Sequence, residues 1–269
     1  MPDALPEELA AALAASADRR GVFGQPLVFV STTGSTNDLV QALAENGAPQ
    51  GAVAIALAQT AGRGRQGREW FSPPGAGLYM SVLIRNGAIA PLLTLAGGVA
   101  VAEGIRAATG LSAAIKWPND IVVCDSHAPG RRRKLAGILA EGSAAERGVQ
   151  HVVLGIGINV RAADYPPALV TRVTSLEHEL GRPVDGGLVA SEILAGINQQ
   201  VAVLESGRRA DVLERWRRLS PSSAGAQVSW TANGETVCGT TAGIDSDGAL
   251  LVKAGGTMHR IISGELSWS

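Results

Sequence analysis

The sequence predicts an α+β protein with a mixed or antiparallel sheet, flanking helices and a small C-terminal β-barrel. Two observations support this fold class. Alanine-rich helical segments and apolar strand segments share the chain up to Pro221, and short strand segments separated by NG, DSDG and GG turns follow it. We therefore predict two domains, residues 1–220 and residues 221–269.

The first elements are predicted to be one helix, a strand, a capped helix and a pair of strands. Residues 3–20 are rich in Ala, Leu and Glu, which favour helix. A strand is predicted near residues 26–31, after which Ser35 or Thr36 can cap a helix that ends near Gly47. The apolar run AVAIALAQT predicts a buried strand, and GLYMSVLIR predicts a second one beyond a loop of glycines and arginines.

The middle of the chain predicts a long buried helix followed by a meander of strands. Small and apolar residues dominate residues 90–109, as in a helix packed on a sheet. The apolar segments IKWPNDIVV, KLAGILAEG and HVVLGIGINV follow, and the first two are joined by an exposed turn, DSHAPGRRR. This pattern favours antiparallel strands over βαβ winding. Further helices are predicted at residues 185–205 and 211–219.

Composition and charge exclude several classes of protein. The 269 residues are 46% hydrophobic, which is enough for a substantial core and a small second domain. The net charge of -1 gives no general basic footprint for nucleic acid. Two widely separated cysteines indicate a reducing cytoplasm rather than a disulfide framework. The N-terminus has the reverse charge order of a secretory signal, and no uninterrupted apolar span is long enough for a bilayer, so we expect no membrane association.

The loop GRGRQGREW, residues 62–70, is the first segment that can carry chemistry. Glycine N–H groups and guanidinium forks together can bind phosphate or carboxylate. No GKS or GKT follows, so the loop is not a Walker motif. A flexible, solvated loop whose arginines touch nothing is the alternative.

Three further segments have both a functional and a plain interpretation. KWPND groups Lys116 with an amide and a carboxylate, but it also fits a strand end with a Pro-Asn turn. Lys134 opens KLAGILAEG, where an ordinary lysine at a strand end would extend along the apolar surface to solvent. Gly155 and Gly157 of GIGIN indicate either a ligand lying against the backbone or a β-bulge.

In order, GSTN, QTAGRGRQGREW, KWPND, KLAGILAE and GIGINV resemble the signature of the biotin protein ligase family, and GIDSDGALLV resembles its terminal barrel. The resemblance extends over nearly the whole chain from Phe29. It implies a class II synthetase-like catalytic domain and an SH3-like C-terminal barrel. It also implies activation of biotin with ATP and Mg²⁺ to biotinyl-5′-adenylate, and transfer to a lysine of the biotin carboxyl-carrier domain of a biotin-dependent carboxylase.

The same resemblance implies roles for individual residues. Lys134 matches the family's essential lysine and, with Arg65, is expected to be catalytic, because a cation can neutralise the repulsion between the biotin carboxylate and the α-phosphate. The residues expected to bind biotin are Ser35, Thr36, Asn37, Gln59, Arg63, Gly64, Arg65, Lys134, Gly137, Ile138, Gly155 and Gly157. Those expected to bind the nucleotide are Arg63, Arg65, Arg68, Trp70, Lys116, Asn119 and Asn159. Asp120 is expected to bind Mg²⁺, and Trp70 and Trp117 either wall the pocket or belong to the core.

The sequence departs from the family pattern at two places. Gln66 stands where many relatives carry another arginine, which suggests a weaker hold on the adenylate. Some bacterial relatives carry an N-terminal winged helix-turn-helix domain, whereas residues 3–20 provide for one helix only, so we expect no sequence-specific DNA binding.

Two other functions are consistent with parts of the pattern. A lipoate or octanoate ligase or transferase has a related fold and also modifies a carrier lysine. A non-catalytic biotin or nucleotide sensor is the second alternative, and the intact Lys134 and Arg65 argue against it. The C-terminal barrel either docks the acceptor, closes over ATP or caps the structure.

Overall fold

A computed structural model of the chain describes residues 2–124, 132–145, 148–232, 234–264 and 266–268. Most of the predicted turn DSHAPGRRR lies outside these residues. The helices are α1 (Glu7–Ala15), α2 (Ala17–Arg20), α3 (Thr36–Glu45), α4 (Ala90–Thr109), α5 (Pro167–Val170), α6 (Leu176–Leu180), α7 (Gly186–Glu205) and α8 (Arg209–Leu219). The strands are β1 (Leu27–Val30), β2 (Val53–Ala56), β3 (Gly77–Ile84), β4 (Ala114–Lys116), β5 (Asp120–Cys124), β6 (Arg132–Ala145), β7 (Gly148–Asn159), β8 (Ala224–Ala232), β9 (Glu235–Ile244), β10 (Leu250–Ala254), β11 (Thr257–Ile261) and β12 (Ser267–Trp268).

The larger sheet has the strand order β1-β2-β3-β7-β6-β5-β4 among the described residues. The predicted antiparallel meander is confirmed for β4 to β7. At the other edge β1 and β2 pair in parallel, because α3 crosses between them, and the sheet is therefore mixed. KWPND is the turn between β4 and β5, so IKWPNDIVV is a hairpin rather than one strand.

The long apolar helices α4 and α7 pack against each other, and α4 also packs against the larger sheet. The buried helix predicted for residues 90–109 is confirmed as α4. By length and composition alone, Gly87–Thr109 and Gly186–Glu205 could cross a membrane. Most of each is buried within the protein, as expected of core helices that need apolar residues on several faces.

The prediction of one helix over residues 3–20 is wrong in detail. The structure has α1 and α2 there, separated at Ser16. The Ser16 hydroxyl donates hydrogen bonds to the backbone carbonyls of Ala12 at 3.0 Å and Leu13 at 3.3 Å. Such side-chain bonds compete with the helical backbone pattern, and they explain why the helix is interrupted at this residue.

The C-terminal residues form an antiparallel sheet with the strand order β11-β10-β9-β8-β12 among the described residues, consistent with the predicted SH3-like barrel. Its apolar residues, including Ile244 and Leu250, join the same core cluster as α4. The indole Nε1 of Trp117 donates a hydrogen bond of 3.0 Å to the carbonyl of Gly248 in the β9–β10 turn. Trp117 is buried, so it helps to dock the small sheet on the larger one. The domain boundary at residue 220 stays a prediction.

Gly248 provides a test of this docking contact. Its φ is +83°, and a Cβ atom there would lie 2.5 Å from Cδ1 of Leu95 on α4. Gly256 has the same φ of +83° and no heavy atom near the position of a Cβ. We expect Gly256→Ala to lower the free energy of unfolding by about 1 kcal/mol through backbone strain. Gly248→Ala should cost about 1–3 kcal/mol more, because overpacking adds to the same strain.

Chemical denaturation of both variants and the unmodified protein measures the difference. Equal losses for the two variants would show that the β9–β10 turn accepts the added methyl group without overpacking against α4.

Candidate active site

A cavity of about 840 Å³ opens where the larger sheet, the loop of residues 62–70 and the C-terminal sheet meet. Every residue that the sequence analysis assigns to biotin, nucleotide or metal lines this cavity. The structure therefore brings together motifs that lie more than a hundred residues apart in the chain. The individual roles of these residues stay predictions.

The loop of residues 62–70 is a small hairpin over the cavity. The N–H of Trp70 donates to the carbonyl of Gly62 at 2.9 Å, and the N–H of Gly64 donates to the carbonyl of Arg68 at 2.7 Å. Gln66 at the tip has a φ of 59°, in the left-handed region that non-glycine residues seldom adopt. The alternative in which the loop arginines touch nothing is wrong, because Arg63 and Arg65 both contact side chains outside the loop.

The N-terminus of α3 forms the polar end of the cavity. Ser35 is the N-cap, and its hydroxyl accepts a hydrogen bond from the N–H of Asn37, as predicted for this position. Both the N–H and the hydroxyl of Thr36 donate to Oε1 of Gln59, at 2.9 Å and 3.2 Å. The Gln59 amide in turn donates to Ser72 at 3.2 Å. This network fixes amide and hydroxyl groups that can bind a small polar ring.

A register shift in β6 turns Lys134 towards the cavity. Val122 pairs with Lys134 and Ile121 pairs with Ala136, so Leu135 is an extra residue on β6. In a regular strand Lys134 would lie on the same face as Ala136 and Ile138, both of which are buried in the core. The bulge reverses this alternation and lets Lys134 share the cavity face with Gly137.

Lys134 is held in the cavity by charge. Its ammonium lies 2.6 Å from Oδ1 of Asp120 and 4.9 Å from the centre of the Trp70 ring. It is half-buried, unlike a lysine that extends from a strand end to solvent. Arg65 also lines the cavity, and its Nη1 lies 3.4 Å from Oδ1 of Asn119. Burial lowers the pKa of Arg65, and the charge of Asp120 partly offsets this effect.

Positive charge accumulates at this end of the cavity. Burial lowers the pKa of Lys116, and Asp120 partly offsets this effect. The charges of Lys134, Arg172 and Arg132 lower that pKa further. Cations that destabilise one another in this way will bind an anion, because it relieves their repulsion. This end of the cavity is therefore suited to phosphate groups.

Gly155 and Gly157 serve close packing rather than a bulge. The pairing of β7 with β6 and β3 is regular through both residues. A Cβ on Gly157 would lie 2.5 Å from the indole Nε1 of Trp70, which therefore packs directly on the strand. That Nε1 is buried and has no hydrogen-bond acceptor within the part of the chain that the structure describes. A ligand oxygen could supply one.

Some residues of the cavity belong to no motif in the sequence, and only the folded structure brings them to the site. Arg172 reaches the site because its carbonyl accepts the N–H of Lys134 at 2.8 Å, a pairing between distant segments. Trp268 comes from β12, and its ring centre lies 5.7 Å from the Lys116 ammonium. The segment after α5 brings Arg172 to β6, and the docking of the small sheet brings Trp268 to Lys116. The Asn159 amide donates to the carbonyl of Thr174 at 2.9 Å, so part of its capacity is already used.

Comparisons with known proteins agree with this arrangement. Residues 29–159 match the model of the biotin/lipoate A/B protein ligase family, and residues 225–267 match the biotin protein ligase C terminal domain. The bifunctional ligase/repressor BirA of Bacillus spizizenii is 35% identical over 91% of this chain and 74% of its own length. The biotin–[acetyl-CoA-carboxylase] ligase of Paracoccus denitrificans is 32% identical over 83% of this chain and 92% of its own length.

The fold is also similar to solved structures. A biotin protein ligase from Aquifex aeolicus in complex with biotin and ATP superposes with a TM-score of 0.74 and 26% identity, over 90% of this chain and 98% of that one. Sequence and structure together show that the chain belongs to the biotin protein ligase family.

Proposed function

We propose that the protein activates biotin with ATP to form biotinyl-5′-adenylate and then transfers biotin to a carrier lysine. The observation that carries this proposal is one cavity with a polar end at α3 and a cationic end at Lys116, Lys134 and Arg65. An uncharged ureido ring suits the first end, and a triphosphate suits the second. The biotin carboxylate and the α-phosphate would then meet between the two ends.

In the first step a biotin carboxylate oxygen attacks the α-phosphorus. A bond from that oxygen to phosphorus forms, and the bond from the α-phosphorus to the leaving pyrophosphate breaks. Both reactants are anionic, and we propose that the Lys134 ammonium, which lies 2.6 Å from Asp120 in the cavity, neutralises them. Arg65 can stabilise the charge that develops on the phosphate oxygens, because it is half-buried and fixed before the reaction.

In the second step the amine of a carrier lysine attacks the acyl carbon of the adenylate. The C–N bond of the new amide forms while the nitrogen gives up one proton to solvent, and the bond from the acyl carbon to the phosphate oxygen breaks, so that AMP leaves with its electron pair. The loop of residues 62–70 covers the cavity and can protect the mixed anhydride from water until the carrier arrives. The Paracoccus relative is named for acetyl-CoA carboxylase, and we propose a biotin carboxyl-carrier domain of this kind as the acceptor.

Mg²⁺ is part of this proposal through Asp120. Among the described residues no group of three or more His, Cys, Asp or Glu side chains could bind a metal. Oδ1 of Asp120 pairs with Lys134, but this carboxylate lies at the end of the cavity that suits phosphate, and Mg²⁺ typically binds one or two carboxylates together with substrate phosphates. When bound, the ion would neutralise phosphate charge. Asp120, and Asn119 next to it, are the residues that would hold it.

The absence of DNA binding and the choice between biotin and lipoate stay predictions. The Bacillus relative is named as a repressor as well as a ligase, and an operator shift with this chain would contradict our expectation. Lipoate and octanoate have a linear acyl chain, for which the amide and hydroxyl network around Gln59 has no evident use. Competition between biotin, lipoate and octanoate for the cavity distinguishes these substrates.

Removing the Lys134 ammonium should abolish most of the adenylation. We expect Lys134→Ala to lower the rate of biotin-dependent pyrophosphate release by about 100- to 1000-fold, the typical loss for one group that stabilises transition-state charge. Lys253→Ala is the matched control, because Lys253 is exposed on β10. A Lys134→Ala rate within threefold of the control would remove Lys134 from the mechanism.

Gln66 tests how much charge the loop needs. The side chain is exposed at the loop tip and lines the cavity. We expect Gln66→Arg to slow dissociation of the adenylate by about two- to fivefold, as for one exposed ion pair. Gln199→Arg on α7 adds the same charge far from the loop and should change nothing. An unchanged dissociation rate in Gln66→Arg would show that this departure from the family pattern does not affect retention.

A further inference from the structure

Glu141 connects the loop of residues 62–70 to the polar end of the cavity at α3. It lies on β6, and its Oε2 accepts hydrogen bonds from Nη2 of Arg63 at 3.1 Å and from Nδ2 of Asn37 at 2.5 Å. Arg63 belongs to the loop of residues 62–70, whereas Asn37 belongs to the first turn of α3. One carboxylate oxygen therefore contacts both the loop and the polar end of the cavity.

Arg63 is also tied to α3 directly. Its Nη1 and Nη2 donate to the two carboxylate oxygens of Asp38 at 3.0 Å and 2.7 Å, a fork that fixes orientation as well as distance. The hydrogen bonds that Arg63 donates raise its pKa, and the bonds to Asp38 have a larger effect than the bond to Glu141. We call Arg63, Asp38 and Glu141 the loop clamp. It holds the guanidinium at the base of the loop.

The Asn37 amide is fixed from both of its ends. Its Oδ1 accepts the Ser81 hydroxyl, while Nδ2 donates to Glu141. Gly155 faces it so closely that a Cβ there would lie 2.3 Å from Oδ1 of Asn37. A primary amide has two N–H groups and Glu141 takes one, which leaves the other able to donate into the cavity. Without Glu141 the amide would lose the contact that selects this orientation.

We propose that Glu141 is a positioning residue that couples the order of the loop to biotin recognition by Asn37, through the loop clamp. The coupling to biotin rests on the proposed function, whereas the clamp itself does not. With the clamp formed, the loop base is held and Asn37 presents its second N–H to the ureido carbonyl. With it broken, the loop is released and the Asn37 amide can rotate.

Limited trypsin cleavage tests the clamp without any ligand. Glu141→Gln and Asp38→Asn keep every arginine of the loop, so cleavage after Arg65 and Arg68 reports loop opening in each variant. We expect both variants to be cleaved about two- to fivefold faster than the unmodified protein, since each removes one exposed charged partner of Arg63. Glu235→Gln, an exposed acid on β9, is the matched control. Cleavage at the control rate in both variants would overturn the clamp.

Titration calorimetry with biotin alone tests the coupling. We expect Glu141→Gln to weaken biotin binding by about three- to tenfold, because the glutamine amide oxygen replaces the charge-assisted hydrogen bond to Asn37 with a neutral one. Asp38→Asn leaves the contact from Glu141 to Asn37 in place, so it should weaken biotin binding less than Glu141→Gln does. Combining Glu141→Gln with Asn37→Ala should add little to either change, because both act through one contact.

Three results are decisive. Biotin binding by Glu141→Gln at the affinity of the Glu235→Gln control would overturn the coupling while leaving the proposed function intact. If the unmodified protein does not bind biotin, the proposed function and the coupling are both wrong, although trypsin cleavage would still test the clamp. Additive losses in the double variant would show that Glu141 does not act through Asn37.

Discussion

The candidate active site depends on one feature of the larger sheet, the bulge at Leu135 in β6. Gly137 lies on the cavity face of this strand, and regular alternation would place Lys134 on the opposite face. Burying its ammonium there against α4 would be very unfavourable. The extra residue reverses the alternation, so that Lys134 meets Asp120 in the cavity while Leu135 joins the core. The chemistry and the stability of β6 are satisfied together.

The rest of the site follows from the neighbours of β6. On one side β5 supplies Asp120, and on the other β7 supplies Gly157, which lets the Trp70 indole lie flat on the sheet beside Lys134. The polar network at α3 and the cations around Lys116 then form opposite ends of one cavity. An uncharged ring and a polyanion can therefore be recognised by different physical means within a single site.

The sequence predicts much of this because its motifs are local. Ser35 as an N-cap, α4 as a buried helix and the meander of β4 to β7 all follow from patterns of a few residues. Contacts set by register or docking are different in kind. The bulge at Leu135, the approach of Arg172 and the position of Trp268 depend on how distant segments align, and no spacing in the chain encodes them. The break at Ser16 is not predicted, because the helical composition of residues 3–20 is a stronger pattern in the sequence than the single hydroxyl that interrupts the helix.

We propose that the cavity makes biotinyl-adenylate for transfer to a carrier lysine. Intact mass spectrometry of a biotin carboxyl-carrier domain, incubated with the protein, ATP, Mg²⁺ and an equal mixture of biotin, lipoate and octanoate, tests it most directly. We predict that the carrier gains one biotinyl group on a single lysine and no other acyl group. A lipoyl or octanoyl adduct, or an unmodified carrier in the presence of correctly folded protein, would contradict it.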